Sequence, residues 1–251
     1  MNSIIGVIPA RWGSTRFPGK SLFPILGKPL LQWVVERARQ AQALDRLLVA
    51  TDDERIRSAA QKFGADVVMT SPRHPSGTDR IAEAVREFDA KVVINIQGDE
   101  PLIDPALIET LGRTLAQDNS WDMATAATPI CEERDRMASS VVKVVRARDG
   151  QALYFSRAVI PFVREKDSGG DVTVPLYWRH IGIYAYRRTF LERLVQTPPC
   201  ALEQAEKLEQ LRALWLGCRM KVLETNDIGL GVDTPEDVPR VEQAMRNAGL
   251  A

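Results

Sequence analysis

Apolar residues in this chain alternate between short β-branched runs and longer segments with helical spacing. The runs predict strands at Ile4–Ile8, Leu47–Ala50, Val67–Met69, Val92–Ile96 and Met123–Thr128. The segments between them predict helices at about Leu30–Gln42, Arg55–Phe63, Asp79–Phe88 and Pro105–Ala116. Strands that are apolar on both faces and alternate with helices indicate a parallel sheet between helices. An α/β architecture with right-handed crossovers is therefore expected.

The pattern changes after Pro129. Further strands, partly antiparallel, are predicted at Val141–Val145, Ala152–Phe155 and Tyr177–Tyr186, because these runs are dense in β-branched and aromatic residues. Helical spacing returns at Glu203–Leu216, a short strand follows at Met220–Leu223, and a last helix runs from about Pro235 to Arg246, with Asp233 or Thr234 as its N-cap. We expect a single domain, residues 1–251, in which about residues 130–200 form a smaller inserted subdomain of mixed strands.

The aromatic run Tyr177–Tyr186 carries large apolar groups on both faces of its predicted strand. The two-residue period places Trp178, Tyr184 and Tyr186 on one face, with Tyr177 and Ile183 on the other. A surface flap of this kind would expose more apolar area than a monomer tolerates. The sequence therefore predicts that this region packs across a two-fold axis.

Composition narrows the class of protein. The 251 residues are 45% hydrophobic and 26% charged, with 33 Lys and Arg against 33 Asp and Glu, as in ordinary soluble domains. A formal net charge of zero argues against a nucleic-acid binder. The longest apolar runs fall far short of the ~18 residues that a membrane span needs. No signal-peptide pattern precedes Arg11, so a cytoplasmic location is expected, and three widely spaced cysteines predict neither disulfides nor zinc.

The loop after the first predicted strand, Pro9–Lys20, is a candidate phosphate-binding segment. Arg11, Arg16 and Lys20 place three cations in a glycine-containing turn, at the sheet edge where phosphates bind in α/β proteins. The segment fits neither the dinucleotide fingerprint nor the P-loop motif, because its glycine spacing is wrong for both. The alternative is an arginine-rich loop with only solvent as its partner.

Two aspartates are candidate ligands for Mg²⁺. Asp99 follows the fourth apolar strand in Asn95–Pro101, and Asp233 precedes the last helix in Gly229–Asp237. Mg²⁺ takes one or two protein carboxylates together with substrate phosphates, which a pair of aspartates can supply. Taken alone, Asp99 also fits a turn that ends a strand, and Asp233 also fits an N-cap.

Four further segments combine small polar groups with Arg or His, as a polyhydroxylated acidic substrate would require. They are His74–Arg80, Ser156–Arg157, Arg179–Tyr184 and Glu206–Arg212. Each is weak evidence alone, and a histidine inside an apolar strand, as His180 is, is more often a core residue than a functional one.

Together these motifs resemble the 3-deoxy-manno-octulosonate cytidylyltransferase family over nearly the whole chain. The resemblance rests on IPARWGSTRFPGK, HPSGTDR, NIQGDEP, YFSRAVIP, RHIGIYAY, EKLEQLRAL and GVDTPED, which occur here in the family's order. Trp12 stands where the family often has Tyr. The related sialic acid cytidylyltransferases share P-A-R and P-G-K but have a G-S-K-G-like centre, where this chain has Gly13, Ser14, Thr15 and Arg16.

The resemblance implies a GT-A-like nucleotidyltransferase fold, with a central mostly parallel sheet and a smaller dimerisation subdomain. It implies a homodimer that needs Mg²⁺ and converts CTP and 3-deoxy-manno-octulosonate (Kdo) into CMP-Kdo and pyrophosphate, for lipopolysaccharide biosynthesis. Carried over by position, Arg11, Lys20, Asp99 and Asp233 are catalytic, and Asp99 and Asp233 hold the metal. The implied nucleotide contacts are Ala10, Arg11, Arg16, Lys20, Arg73, Ser76 and Gln97, and the implied sugar contacts are Arg157, His180, Tyr184, Glu209 and Gln210.

Two other functions stay open at this point. One is a cytidylyltransferase for another ulosonic acid, such as an amino-Kdo or a sialic acid. The other is a catalytically silent nucleotide-binding protein on the same fold, although a binder has no need of both Asp99 and Asp233.

Overall fold

A computed structural model describes residues 3–14, 16–164 and 175–250. Its strands are β1 (Ile4–Ala10), β2 (Pro24–Ile25), β3 (Lys28–Pro29), β4 (Arg46–Thr51), β5 (Asp66–Met69), β6 (Val92–Asn95), β7 (Met123–Pro129), β8 (Lys143–Arg146), β9 (Ala152–Ser156), β10 (Trp178–Arg187) and β11 (Met220–Glu224). Its α-helices are α1 (Leu30–Ala38), α2 (Glu54–Lys62), α3 (Gly77–Ala84), α4 (Pro105–Gln117), α5 (Glu133–Met137), α6 (Arg188–Gln196), α7 (Ala201–Glu206), α8 (Gln210–Trp215) and α9 (Val238–Asn247). Short 3₁₀ turns cover Lys20–Leu22 and Pro235–Asp237.

The central sheet has the strand order β11-β7-β10-β6-β1-β4-β5. Neighbouring strands are parallel except at β10, which runs antiparallel to both β6 and β7. A β8–β9 antiparallel pair joins the sheet through β10, where Lys143 pairs with Arg179. The predicted mostly parallel sheet with extra antiparallel strands is therefore confirmed.

Helices cover both faces of this sheet. One apolar cluster joins α1, α2 and α4 to the sheet, and a second joins α3, α6 and α8 to the opposite face. A third cluster packs Phe17, Trp33 and Val232 with Val241 and Met245 of α9, so that the C-terminal helix is held against the N-terminal loop. This third cluster holds the segment around Val232 and the C-terminal helix close to the loop that follows β1.

Several helices begin where the sequence supplies a capping group. Asp53 Oδ1 accepts from the Arg55 N–H at 2.9 Å, and Asp104 Oδ1 accepts from the Ala106 N–H at 2.9 Å, with proline as the first helical residue of α4. Before the C-terminal helix, Thr234 takes the N-cap position and its N–H donates to Asp237 Oδ2 at 2.9 Å. Asp233 therefore lies one residue outside the cap.

Two predicted helices are divided differently in the structure, and two observed helices were not predicted. The predicted helix at residues 203–216 is split into α7 and α8 at Lys207, which is left-handed with φ 55°. The last helix starts with a 3₁₀ turn rather than as continuous α-helix. The sequence analysis did not predict α5 or α6, and α6 follows β10 without any intervening loop.

The prediction that both faces of Tyr177–Tyr186 need a partner subunit is wrong. Strand β10 lies inside the sheet, between β6 and β7. Ile181 and Ile183 are buried in one intramolecular cluster, and Trp178 and Tyr186 are buried in the other. The helices of the same chain cover both faces, so the apolar character of β10 gives no argument for a dimer interface.

Among the helices that the structure describes, none has the length and apolar character to cross a membrane.

Candidate active site

The loop that follows β1 is closed on itself by its backbone. The Trp12 carbonyl accepts from the N–H groups of Ser14 at 2.9 Å and Gly19 at 3.0 Å. Gly19 is left-handed, with φ 71°, and a Cβ there would lie 3.0 Å from the Trp12 ring. Only glycine fits both requirements, and the chain then enters the 3₁₀ turn that starts at Lys20.

Asp99 lies at the carboxyl end of β6, close to this loop. The preceding Gly98 allows the approach, because a Cβ on Gly98 would lie 3.0 Å from the Pro9 carbonyl oxygen. The third apolar cluster and one backbone bond, from the Val232 N–H to the Asp99 carbonyl at 2.9 Å, hold Asp233 beside Asp99. Three segments that are distant in sequence thus meet at one edge of the sheet.

Lys20 connects the two aspartates. Its ammonium donates to Asp99 Oδ2 at 2.5 Å, to the Val232 carbonyl at 2.9 Å and to Asp233 Oδ1 at 3.4 Å. Arg16 Nη2 also donates to Asp233 Oδ1, at 3.1 Å, from a more exposed position. Two of the predicted cations and both predicted metal ligands therefore form one charged cluster.

Glu100 adds a buried carboxyl group behind this cluster. Burial, together with the nearby carboxylates of Asp99 and Asp227, raises the pKa of Glu100 to about 8. Glu100 Oε2 is buried and has no hydrogen-bond partner. Near neutral pH this side chain therefore carries little negative charge of its own.

A cavity of about 340 Å³ opens beside the charged cluster. Eight residues predicted for nucleotide or metal binding line it: Ala10, Arg11, Arg16, Lys20, Ser76, Gln97, Asp99 and Asp233. Its size lies at the low end of the range of small-ligand sites. The arrangement presents cations and hydrogen-bonding groups on the wall of one cleft, which suits a polyphosphate.

Ser76 and Gln97 are held in place by hydrogen bonds within the protein. The Ser76 hydroxyl caps α3, accepting from the Asp79 N–H at 3.2 Å and donating to Asp79 Oδ2 at 2.6 Å. Gln97 Nε2 donates to the Gly182 carbonyl of β10 at 2.8 Å. Arg73, the remaining predicted nucleotide contact, is exposed and does not line the cavity.

The cavity wall also includes side chains that the sequence analysis did not assign, namely Ser14, Ser21, His74 and Arg80. Arg80 is buried, and its guanidinium donates to Thr70 Oγ1 at 2.5 Å and Asp52 Oδ2 at 2.8 Å. His74 is paired with Glu83. Both lie in the HPSGTDR motif, so the motif itself was the signal that could have found them.

From the sequence, Trp12 was identified only as an aromatic residue at a position where the family often has Tyr. Its ring lies between Gly19 and the Arg55 guanidinium, whose central carbon is 3.5 Å from the ring centroid. Arg55 is in turn paired with Asp53 at 2.6 Å. No local pattern could have revealed this stack, because Arg55 belongs to α2.

The predicted sugar-binding residues lie outside the 340 Å³ cavity. His180 and Tyr184 are neighbours on β10, with ring centroids 5.4 Å apart. His180 Nε2 is 3.0 Å from Thr125 Oγ1, and burial lowers the pKa of His180 to about 3, so the imidazole is neutral. The Gln97–Gly182 hydrogen bond connects this strand to the nucleotide cavity.

The other three predicted sugar contacts are engaged within the protein. Arg157 donates from Nε to the Glu206 carbonyl at 2.8 Å and from Nη1 to the Ser139 carbonyl at 3.0 Å. Glu209 accepts from Arg212 at 3.2 Å and contacts the Thr78 hydroxyl. Gln210 is buried at the start of α8.

Within the described part of the chain, no group of three or more His, Cys, Asp or Glu side chains is arranged to hold a metal ion. The Asp99 and Asp233 pair is smaller than that. It is nevertheless the number of protein carboxylates that Mg²⁺ uses when phosphate oxygens and water complete its shell.

Comparison with known proteins places this arrangement in a family context. A family model described as "Cytidylyltransferase" matches residues 5–223. The chain is 47% identical to a protein of Bdellovibrio bacteriovorus over 98% of this chain and 99% of the relative, and 49% identical to one of Syntrophotalea carbinolica over 97% and 99%. Both relatives are named 3-deoxy-manno-octulosonate cytidylyltransferase.

Solved structures show the same similarity. A CMP:2-keto-3-deoxy-manno-octonic acid synthetase complexed with CTP superposes with a TM-score of 0.91 at 42% identity, covering 98% of this chain and 99% of that one. A 4-diphosphocytidyl-2C-methyl-D-erythritol synthase from Anaerococcus prevotii shares the fold alone, with a TM-score of 0.64 at 11% identity over 97% and 98% of the two chains.

Proposed function

The chain belongs to the cytidylyltransferase family, and from that premise we propose that it transfers the cytidylyl group of CTP to Kdo, forming CMP-Kdo and releasing pyrophosphate. The observation that carries this proposal is the full-length similarity, at 47% and 49% identity, to relatives named for this reaction. The solved relative complexed with CTP supports the nucleotide. The cleft of cations beside two carboxylates is chemically suited to it.

The reaction is a substitution at the α-phosphorus. A hydroxyl oxygen of the sugar forms the new bond to phosphorus, while the bond to the bridging oxygen of the leaving pyrophosphate breaks. Since no covalent intermediate is required, the protein contributes by positioning the substrates and neutralising charge. We assign Arg11, Arg16 and Lys20 to the triphosphate, with Lys20 stabilising the leaving pyrophosphate.

Recognition of the nucleoside needs other residues of the same cavity. We assign it to Ala10, Ser76 and Gln97, because these three residues line the cavity. Arg73 is a weaker candidate, since it is exposed and does not line the cavity. The hydrogen bond from Gln97 to β10 fixes the amide before any ligand arrives, which limits the entropy lost on binding.

The residues present fit Mg²⁺. Asp99 Oδ2, Asp233 Oδ1 and the Val232 carbonyl oxygen already converge on one cation, the Lys20 ammonium, and oxygen ligands of this kind are what Mg²⁺ requires. We propose that Asp99 and Asp233 hold this metal. Bound there, it would supply charge neutralisation at the α-phosphate and lower the pKa of the attacking hydroxyl.

Sugar binding is proposed for the residues near β10 and α8. Arg157 supplies the cation for the carboxylate of the sugar acid, while His180, Tyr184, Glu209 and Gln210 supply hydrogen-bonding groups for its hydroxyls. His180 acts as a neutral imidazole, since burial keeps its pKa at about 3. Preference for Kdo over an amino-Kdo or a sialic acid is decided here.

We also propose that the enzyme is a cytoplasmic homodimer. Strand β10 gives no support for an interface, but Phe162, Leu153 and Leu176 are 86%, 55% and 46% exposed on and beside the β8–β9 pair. Large exposed apolar side chains occur at interaction surfaces, which is the support for this part of the proposal.

Pyrophosphate release measured with CTP and Kdo, each omitted in turn, tests the function. We expect release only when both substrates and Mg²⁺ are present. Parallel assays with an amino-Kdo and a sialic acid test which sugar acid is the substrate. Faster pyrophosphate release with either of them would mean that this acid, and not Kdo, is the substrate. Nucleotide binding without any release would instead identify a silent nucleotide-binding protein.

A further inference from the structure

Lys20 holds the two carboxylates that a metal ion would use. Its ammonium lies 2.5 Å from Asp99 Oδ2, and the Lys20 and Asp99 side chains are only 16% and 26% exposed, so water screens this pair weakly. The same nitrogen also donates hydrogen bonds to the Val232 carbonyl oxygen and to Asp233 Oδ1. The ammonium thus occupies the centre of an oxygen-lined site.

An ammonium and a divalent cation compete for this site. The ammonium takes Asp99 Oδ2 and Asp233 Oδ1, one oxygen of each carboxylate, and Mg²⁺ needs oxygens of the same two carboxylates at about 2.0–2.1 Å in a nearly ideal octahedron. Two cations bound to one carboxylate would also repel each other strongly at a weakly screened site. Arg16 competes for Asp233 as well, but that pair is 65% and 54% exposed and is therefore a minor competitor.

A triphosphate offers Lys20 a stronger partner than the aspartates. Lys20 lines the nucleotide cavity together with Arg11 and Arg16, and its four-carbon stem lets the ammonium turn from the aspartates toward a phosphate without backbone movement. When the lysine moves, the carboxylates become available for the metal that accompanies the nucleotide.

We propose that Lys20 is an internal counter-ion that keeps divalent metal off Asp99 and Asp233 until a nucleoside triphosphate displaces it. This inference rests on the proposed function for the identity of the nucleotide. Its consequence is that the protein binds free metal weakly, and that metal and nucleotide bind as one unit. Lys20 therefore has two successive anionic partners, first the metal ligands and then the phosphates.

Metal binding to the nucleotide-free protein tests the proposal. The affinity for Mn²⁺ would be measured by electron paramagnetic resonance of the unbound ion, at low ionic strength and without CTP. We expect Lys20→Met and Lys20→Gln to bind Mn²⁺ about tenfold more tightly than the unmodified protein, or better, because the competing charge is gone. Circular dichroism would verify that both variants are folded.

Two controls place the effect at this site. Lys28→Met removes a lysine paired with Glu36 at 2.8 Å, away from the cavity, and should leave Mn²⁺ affinity unchanged. Asp99→Asn added to Lys20→Met should abolish the gained affinity. In Lys20→Met and Lys20→Gln, CTP binding measured in EDTA should weaken about tenfold or more, because the phosphates lose the Lys20 ammonium.

Unchanged or weaker Mn²⁺ affinity in both Lys20 variants overturns the proposal, as does a gain that survives Asp99→Asn. These measurements need neither Kdo nor turnover. A protein that released no pyrophosphate from CTP and Kdo would refute the proposed function while leaving the metal result interpretable.

Discussion

At the scale of single residues, the proposed metal site consists of two carboxylates, those of Asp99 and Asp233. We expect Asp99→Asn and Asp233→Asn each to abolish measurable turnover, because the amide cannot supply the negative charge that a metal needs. Thermal unfolding should show that both variants remain folded, since neither residue belongs to an apolar cluster. A normal rate at saturating Mg²⁺ in either variant would refute the metal assignment.

Lys20 also carries a prediction about rate. Lys20→Ala should lower kcat by about 10²-fold or more, because the role proposed for the ammonium is to stabilise charge that develops on pyrophosphate in the transition state. Steady-state kinetics separates this role from simple binding. If only KM for CTP rose, Lys20 would bind substrate and transition state equally.

The burial of His180 makes the stability of the folded protein depend on pH. Burial lowers the pKa of His180 from 6.5 to about 3, so below about pH 6.5 the unfolded chain binds a proton that the folded protein does not. This contribution to stability is present above pH 6.5 and is lost as pH falls, at up to about 1.4 kcal/mol per pH unit. Urea unfolding at pH 7.0 and 5.5 should therefore show a smaller loss of stability for His180→Gln than for the unmodified protein. Equal losses would contradict the assignment.

At the scale of elements, the loop from Trp12 to Lys20 is the most sharply specified. Gly19 and Gly27 both have positive φ, 71° and 81°, but a Cβ at Gly19 would meet the Trp12 ring, whereas a Cβ at Gly27 would point into open space. Both changes to alanine should cost about 1–2 kcal/mol of stability for the left-handed conformation. Only Gly19→Ala should also move Lys20.

Kinetics distinguishes the two glycine variants. We expect Gly19→Ala to lower kcat/KM for CTP by about 10- to 100-fold, as displacement of a positioning loop does, and Gly27→Ala to leave it close to normal. Equal kinetic effects in both variants would mean that the Trp12 contact does not position the loop.

At the scale of the whole molecule, the homodimer is a prediction about association. Sedimentation at micromolar concentration should give the mass of two chains, and Leu153→Glu, on the β8–β9 pair, should shift it toward one. A Leu202→Glu variant is the control, since Leu202 is 38% exposed on α7 rather than on that pair. A fully active protein with the mass of one chain would show that no interface is required.

Much of the fold could be predicted from short stretches of sequence. The main feature that could not be predicted, the position of β10, depends on contacts between distant parts of the chain. The strands β1 and β6 are apolar enough to be found from their own residues, and the start of α4 was predicted at Pro105. The place of β10 inside the sheet was not visible, because strand order depends on which strands pair across long separations. The break at Lys207 was missed because helical spacing continued through it.

The sequence by itself determined the α/β class, the cationic loop, the two aspartates and, through its motifs, the family, and the comparisons confirm that family. The residue roles within the site stay predictions. Tertiary structure alone decided that Lys20 reaches both Asp99 and Asp233, which are 79 and 213 positions away, and that Trp12 stacks on Arg55. The reason is physical: side-chain periodicity and capping act over a few residues, whereas contacts at such separations form only when the packed helices and sheet bring the loops together.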